Sequence, residues 1–423
     1  MNVRETITGW PQGWKIVFRA LKYRNFRLFY LGQIVSLTGT WMQQVALGWL
    51  VYQMTQSAFL LGIVGFLSQM PIFLISPFAG VISDRFNKRR ILLLMQILFM
   101  LQALLLAALV LTENIAVWHI IALSLFAGIV NAVEIPARQS YIIQLIDKRE
   151  DLLNAIALNS AMFNGTRFIG PSVAGILIAL TGEGICFLVN GVSYAAPIAA
   201  LLMMDIAFVR CEIADFNIIR ELKEGLSYSF RHKIIKRILI LLSLTSMMGT
   251  SFMVLLPAYA KDILQGGPHT LGFLMSAVGA GAVTGAIYLA SRSSIGILKT
   301  LIPLAAGVFG AGLIGLSVFH FSLLPYLLLF AIGLAMMMQV AASNTVLQTT
   351  ADDNKRGRVI GFFAVAVIGM SAIGSLLMGF LAGLIGMEAT LLTGGLCCIA
   401  GAVVYLRRRS PKDAGHIQLK SPS

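Results

Sequence analysis

The chain has 423 residues, of which 58% are hydrophobic and 12% charged, and its 32 Lys and Arg exceed 18 Asp and Glu for a net charge of +14. So little polar surface cannot cover a soluble globule of this size, which leaves a polytopic membrane protein. The basic excess is not a nucleic-acid footprint, because it is confined to alternate loops between apolar runs.

In chain order, residues 1–25 are basic with apolar positions at helical spacing and no small-residue cleavage site follows them, which predicts a cytoplasmic amphipathic segment feeding an uncleaved first span. Apolar runs long enough to cross a bilayer then fall at 26–52, 58–82, 91–111, 116–136, 153–180, 184–206, 237–260, 269–290, 299–319, 322–343, 358–383 and 388–407. The expected fold class is therefore all-α, with twelve transmembrane helices as two six-helix halves, 26–206 and 237–407. The connecting segment 207–236 repeats apolar residues at Phe216, Ile219, Leu222, Leu226 and Phe230, a surface helix, and 408–423 is a tail. All Lys and Arg except Lys261 and Arg167 lie on one side of this topology, so both termini are expected in the cytoplasm.

The most informative stretch is GVISDRFNKRR at 80–90, between the second and third runs. Gly80 permits close helix approach, and Asp84 lies one turn on along the same face. Asp84 ends its span, where a partner helix can offer an N-terminus to the carboxylate. Asn87 tolerates a left-handed reversal of the chain, and Lys88, Arg89 and Arg90 hold the loop at the inner surface. The pattern resembles the signature between the second and third helices of the major facilitator superfamily, with Asn87 where that family usually has Gly. It implies a conformational switch at Gly80, Asp84, Arg85, Lys88, Arg89 and Arg90.

The halves read as weak repeats. PARQSYIIQ after the fourth span, from Pro136, corresponds to SNTVLQ after the tenth, from Ser343, whereas SRSSIG at 291–296 keeps a base without the acid. The phrases GTWMQQVALGWLVY at 39–52, NAIALN at 154–159, RFIGP at 167–171, FLVN at 187–190, LLPAYAK at 255–261 and RGRV at 356–359 resemble a bacterial branch of that superfamily containing enterobactin exporters and multidrug exporters. The resemblance implies alternating-access efflux of a siderophore-like or amphipathic drug-like small molecule across the bacterial inner membrane, by a monomer, with protons as coupling ion. An importer or uniporter on the same fold is the alternative reading, and a non-transporting sensor a remoter one.

Arg167 is the one base buried within a span rather than at a span's end. Placed about 14 residues from the cytoplasmic start of its helix, it lies roughly 21 Å in, where a charge costs about 2.5–3.5 kcal/mol on insertion scales. It either meets substrate or is locked to neighbouring carbonyls and amides. Ser160, Asn164, Arg167 and Pro171 share one face. Gly170, Pro171 and Gly175 resemble the fifth-helix packing motif of exporters, with the glycine-rich eighth span as expected partner. Gln43, Gln44, Asn131, Asn190 and Tyr194 are further pathway candidates or helix-to-helix bridges. Glu134, about two residues from its span's end, either pairs with Arg138 or belongs to a cytoplasmic gate. The first span holds no carboxylate, so either a proton is relayed through Glu134 or Asp84, or coupling uses another ion, or the protein is a uniporter. The cysteines Cys186, Cys211, Cys397 and Cys398 and the five isolated histidines make no metal set or disulfide framework, and no Walker loop, nucleophile elbow or HExxH occurs. No enzyme, metal, cofactor or nucleic-acid partner is expected.

Overall fold

The computed structural model describes residues 18–204, 218–291, 294–321, 323–352 and 355–408, and within these it describes backbone alone at 77, 80–85, 149, 218–223 and 225. The twelve long helices are α1 (Arg24–Thr55), α2 (Ala58–Arg85), α3 (Lys88–Leu111), α4 (Val117–Gln144), α5 (Arg149–Thr181), α6 (Glu183–Met203), α7 (Lys233–Ile263), α8 (Pro268–Ala290), α9 (Ile295–Val318), α10 (Leu324–Thr350), α11 (Arg356–Ile385) and α12 (Met387–Arg407). Among the described residues eleven are long and apolar enough to cross a bilayer. The twelfth is α1, whose 32 residues include Thr38, Thr40, Gln43 and Gln44. Phe216 of the expected connecting helix lies outside the described residues, and the rest forms a helix at Ile218–Arg231.

Several helices outrun the apolar stretches that announce them. Pro136 sits inside α4, which continues to Gln144, and Ser343 and its followers sit inside α10, which ends at Thr350. Neither stretch is the loop the sequence reading expected, because a helix leaving the bilayer keeps its hydrogen bonds without needing apolar side chains. The same extension puts Glu134 roughly 15 Å from the end of α4 rather than at its rim. Asn87 is also corrected. Its φ of −64° is not left-handed, and its side chain caps α3 by accepting from the backbone N–H groups of Arg89 and Arg90.

Within the first half α1 packs on α5 and α6, α2 on α4, and α3 on α4 and α6; six helices later α7 packs on α11 and α12, α8 on α10, and α9 on α10 and α12. The halves meet chiefly along α5–α8 and α2–α11. α7 is irregular: a 3₁₀ stretch, Thr250–Leu255, follows Gly249, and a π turn, Tyr259–Ile263, ends the helix. A second π turn, Val365–Gly369, interrupts α11. Such turns are concentrated at functional positions in helices.

At the end carrying the basic loops, each half has its own strap. In the first, a 3₁₀ turn at Arg19–Lys22 lies on the start of α5. The buried carboxylate of Asp151 receives Arg19, Lys22 Nζ at 2.7 Å and the Tyr23 hydroxyl at 2.7 Å, while the Ala20 N–H donates to Asn154 Oδ1 at 2.9 Å. The hydrogen bond to Asp151 raises the pKa of the Lys22 ammonium above its ordinary value. In the second, the connecting helix lies on the start of α11. There Glu224 Oε2 accepts from Arg358 Nη1 at 2.6 Å and Lys355 Nζ at 3.4 Å, and the Asp352 N–H donates to the Tyr228 hydroxyl at 3.1 Å.

Candidate functional site

The gap between the halves is closed at one end and open at the other, and α5 records the change along one face. Leu153 and Ile156, near the basic end, are 78% and 50% exposed, whereas Pro171, Ala174 and Ile178, further along the same face, are buried. α8 mirrors this: Gly272, Ser276 and Gly279 are buried, and Ile287 toward the basic end is 68% exposed. The halves therefore touch at the end far from the basic loops and diverge toward those loops.

The far-end contact depends on missing side chains. A Cβ on Gly272 would lie 2.4 Å from the Pro171 carbonyl oxygen, and one on Gly175 would lie 2.9 Å from that of Pro268. Two helix backbones come this close only through glycine. The Ser172 hydroxyl meets Ser276 Oγ at 2.6 Å, and Ser276 donates to the Phe168 carbonyl at 2.8 Å. Gly170 belongs elsewhere. Its Cβ would meet Trp41 of α1 at 2.6 Å, so the expected triplet serves two different interfaces.

Across α1 and α7 the Tyr52 hydroxyl donates to the Asp262 carboxylate, and Lys261 Nζ stands 5.8 Å from the Tyr52 ring centroid. A cleft of about 430 Å³ opens over this pair, with Gln56, Phe59 and Met387 in its wall. Sequence reading missed both members of the pair. They lie 210 positions apart, and the only signal was that Lys261-Asp262 is the one charged dipeptide on the side otherwise lacking bases.

Above the seam, where the halves begin to diverge, Arg167 lies over Trp41 with its guanidinium carbon 5.5 Å from the ring centroid. Trp41 meets Phe163 edge-on at 5.6 Å. Asn164 is buried and donates its amide to the Ser160 carbonyl of its own helix at 2.9 Å. Gln44 is exposed and Asn131 half-buried.

The other candidates are tied into packing within the first half. Gln43 donates to Gln102 Oε1 at 3.0 Å and accepts from Asn190 Nδ2 at 2.7 Å, and Gln102 donates to the Leu123 carbonyl at 3.4 Å. This chain bridges α1, α3, α4 and α6. The Tyr194 hydroxyl lies 3.1 Å from Thr40 Oγ1, and its ring stacks on Phe99. Glu134 and Arg138, both largely shielded, pair at 3.3 Å.

Gly80, Asp84 and Arg85 occupy the last turns of α2, and their side chains lie outside the described set. Arg89 donates to the Leu201 and Leu202 carbonyls at 2.6 and 2.9 Å, so it caps the C-terminal end of α6. Lys88 opens α3, and Arg90 is exposed.

With this geometry in place, similarity to known proteins can be read. The family model described as transmembrane secretion effector matches residues 17–421. The staphyloferrin A transporter of Staphylococcus aureus is 28% identical, with 90% of this chain and 95% of that protein aligned. The multidrug efflux pump Tap of Mycolicibacterium fortuitum is 24% identical over 89% and 94% of the two chains, and macrolide efflux protein A of Streptococcus pyogenes is 23% identical over 90% and 96%. Among solved structures, a point mutant of the nucleoside transporter NupG superposes with a TM-score of 0.73 at 11% identity, over 90% of this chain and 99% of that one. A bacterial homologue of the lysosomal transporter Spinster, in an inward-facing unoccupied conformation, gives 0.71 at 11% over 92% and 98%.

Proposed function

Because the chain belongs to the transmembrane secretion effector family of major facilitator superfamily transporters, we propose that it exports a small molecule from the bacterial cytoplasm by alternating access. Its family and relatives are transporters rather than enzymes. The observation that carries alternating access is the wedge between the halves, sealed at the glycine seam and open toward the basic loops, and the named efflux relatives support the outward direction. Those loops are assigned to the cytoplasm by their charge, so in an exporter the open side is the one that admits cargo from inside the plasma membrane. Named relatives that pump drugs or carry staphyloferrin support a siderophore-like or drug-like cargo.

In the cycle the halves 26–206 and 237–407 rock about the chamber as a monomer. The far end opens when the Tyr52–Asp262 bond and the α5–α8 seam part, and the cytoplasmic end closes when Asp84 at the end of α2 reaches across to the second half. Asp84 is then a latch, with Gly80 allowing the approach and Arg85, Lys88 and Arg90 facing carboxylates or lipid headgroups. Protons are the proposed coupling ion, with Glu134 or Asp84 as the carboxylate that carries them. Deleting the gene should raise the cell content of the native cargo, and restoring it should lower it; the opposite change would make the protein an importer.

A further inference from the structure

Deep in the bundle, one positive charge has no hydrogen-bond or ion-pair partner among the described residues. Arg167 lies 18 residues into the 33-residue α5, on the face that turns from buried to exposed toward the basic end. Its guanidinium stays ionised and carries five N–H donors. Among the described residues its named contact is the ring of Trp41. A residue that only fixed helix packing would spend those donors on carbonyls and amides of neighbouring helices, and no such bond is made by Arg167 among the described residues. Asn164, one turn back, donates its amide to Ser160 instead.

Among the described residues no carboxylate stands ready to neutralise it. Glu134 is engaged by Arg138, and α1 has no acid. The second half has no Asp, Glu, Lys or Arg at 238–260, 269–290, 300–350 or 359–385. Uncompensated charge inside a membrane bundle is rare because it is costly, and it marks a pathway. Beside the guanidinium, Trp41 and Phe163 set two rings edge to face. The arrangement offers a planar fork for a carboxylate next to an aromatic wall for an apolar body.

We propose that the cargo itself is the missing counter-charge: a small organic carboxylate, held by its carboxylate on Arg167 and by its apolar part on Trp41 and Phe163. This rests on the export reading and gives it a substrate class. It also supplies a driving force. An anion leaving a cytoplasm that is 100 mV negative gains about 50-fold in outward accumulation per charge, so efflux of an anion proceeds down the potential even though the first helix lacks a titratable carboxylate.

The test uses purified full-length protein in liposomes loaded with either carboxyfluorescein, an aromatic polycarboxylate, or rhodamine 6G, an aromatic cation. Protein-dependent loss of carboxyfluorescein should exceed that of rhodamine 6G. It should quicken when valinomycin and a potassium gradient make the lumen negative, with no pH difference imposed. R167Q should cut carboxyfluorescein flux at least tenfold and alter rhodamine 6G flux less than twofold, and R167K, which keeps the charge without the fork, should fall between. The wild-type potential arm needs no variant and stands even if R167Q does not fold. Carboxyfluorescein flux indifferent to potential, or equal slowing of both dyes by R167Q, would overturn the carboxylate site while leaving export intact. Loss of both dyes no faster than from protein-free vesicles would overturn the export reading as well.

Discussion

The two ends of the cleft between the halves are built from different chemistry. At the far end the halves touch through glycine, serine hydroxyls and main-chain carbonyls, with Tyr52–Asp262 bonded across them. At the basic end Asp151 and Glu224 form their ion pairs inside a half, each binding a strap to the start of α5 or α11. Close packing between rigid surfaces is all-or-none and has two discrete arrangements, whereas ion pairs within one body keep that body stiff as it moves. The difference assigns switching to the seam and rigidity to the straps.

The strongest way to break the contrast is to fill the seam. Gly272→Val puts methyl groups against the Pro171 carbonyl, and overpacking of this kind costs about 1–3 kcal/mol. It should shift the balance toward a parted far end about 5- to 150-fold, read as faster thiol labelling of a cysteine placed at Ser57, with transport lost. Next, Asp84→Asn should reduce transport more than it reduces equilibrium binding of cargo; normal transport by a well-expressed variant would remove the latch. Third, Asp151→Asn leaves a buried site without its anion and should lower the melting temperature in detergent by several degrees, with transport by the surviving folded fraction little changed. Tyr52→Phe removes one hydroxyl from a half-open site and should raise far-end labelling by several-fold, short of the Gly272→Val effect. The smallest change is expected from Glu224→Gln. Its carboxylate and partners are partly solvated, so the melting temperature should fall by a degree or two at most. A Glu224→Gln protein less stable than Asp151→Asn would contradict the ranking of the two straps.

The span count and the repeat could be read in the sequence because hydropathy reports directly on burial in lipid. Helix ends could not. Gln144 and Thr350 lie beyond the apolar runs, and hydropathy is silent on a helix continuing into water. Polarity drew attention to Gln43 and Asn190, yet a polar side chain inside a bundle finds another polar side chain first, and both are spent on the Gln102 chain. Arg167 stood out because a lone charge in an apolar run has no local explanation. Tyr52 and Asp262 did not, since each is unremarked beside its own neighbours and their pairing exists only once the halves are assembled.

The turn between α2 and α3 contains just Phe86 and Asn87, and Asn87 is already bonded to the first turn of α3 while Arg89 grips the end of α6. So short a joint holds little slack, and any tilt of α2 is passed to α3 and, through the Arg89 grip, to α6.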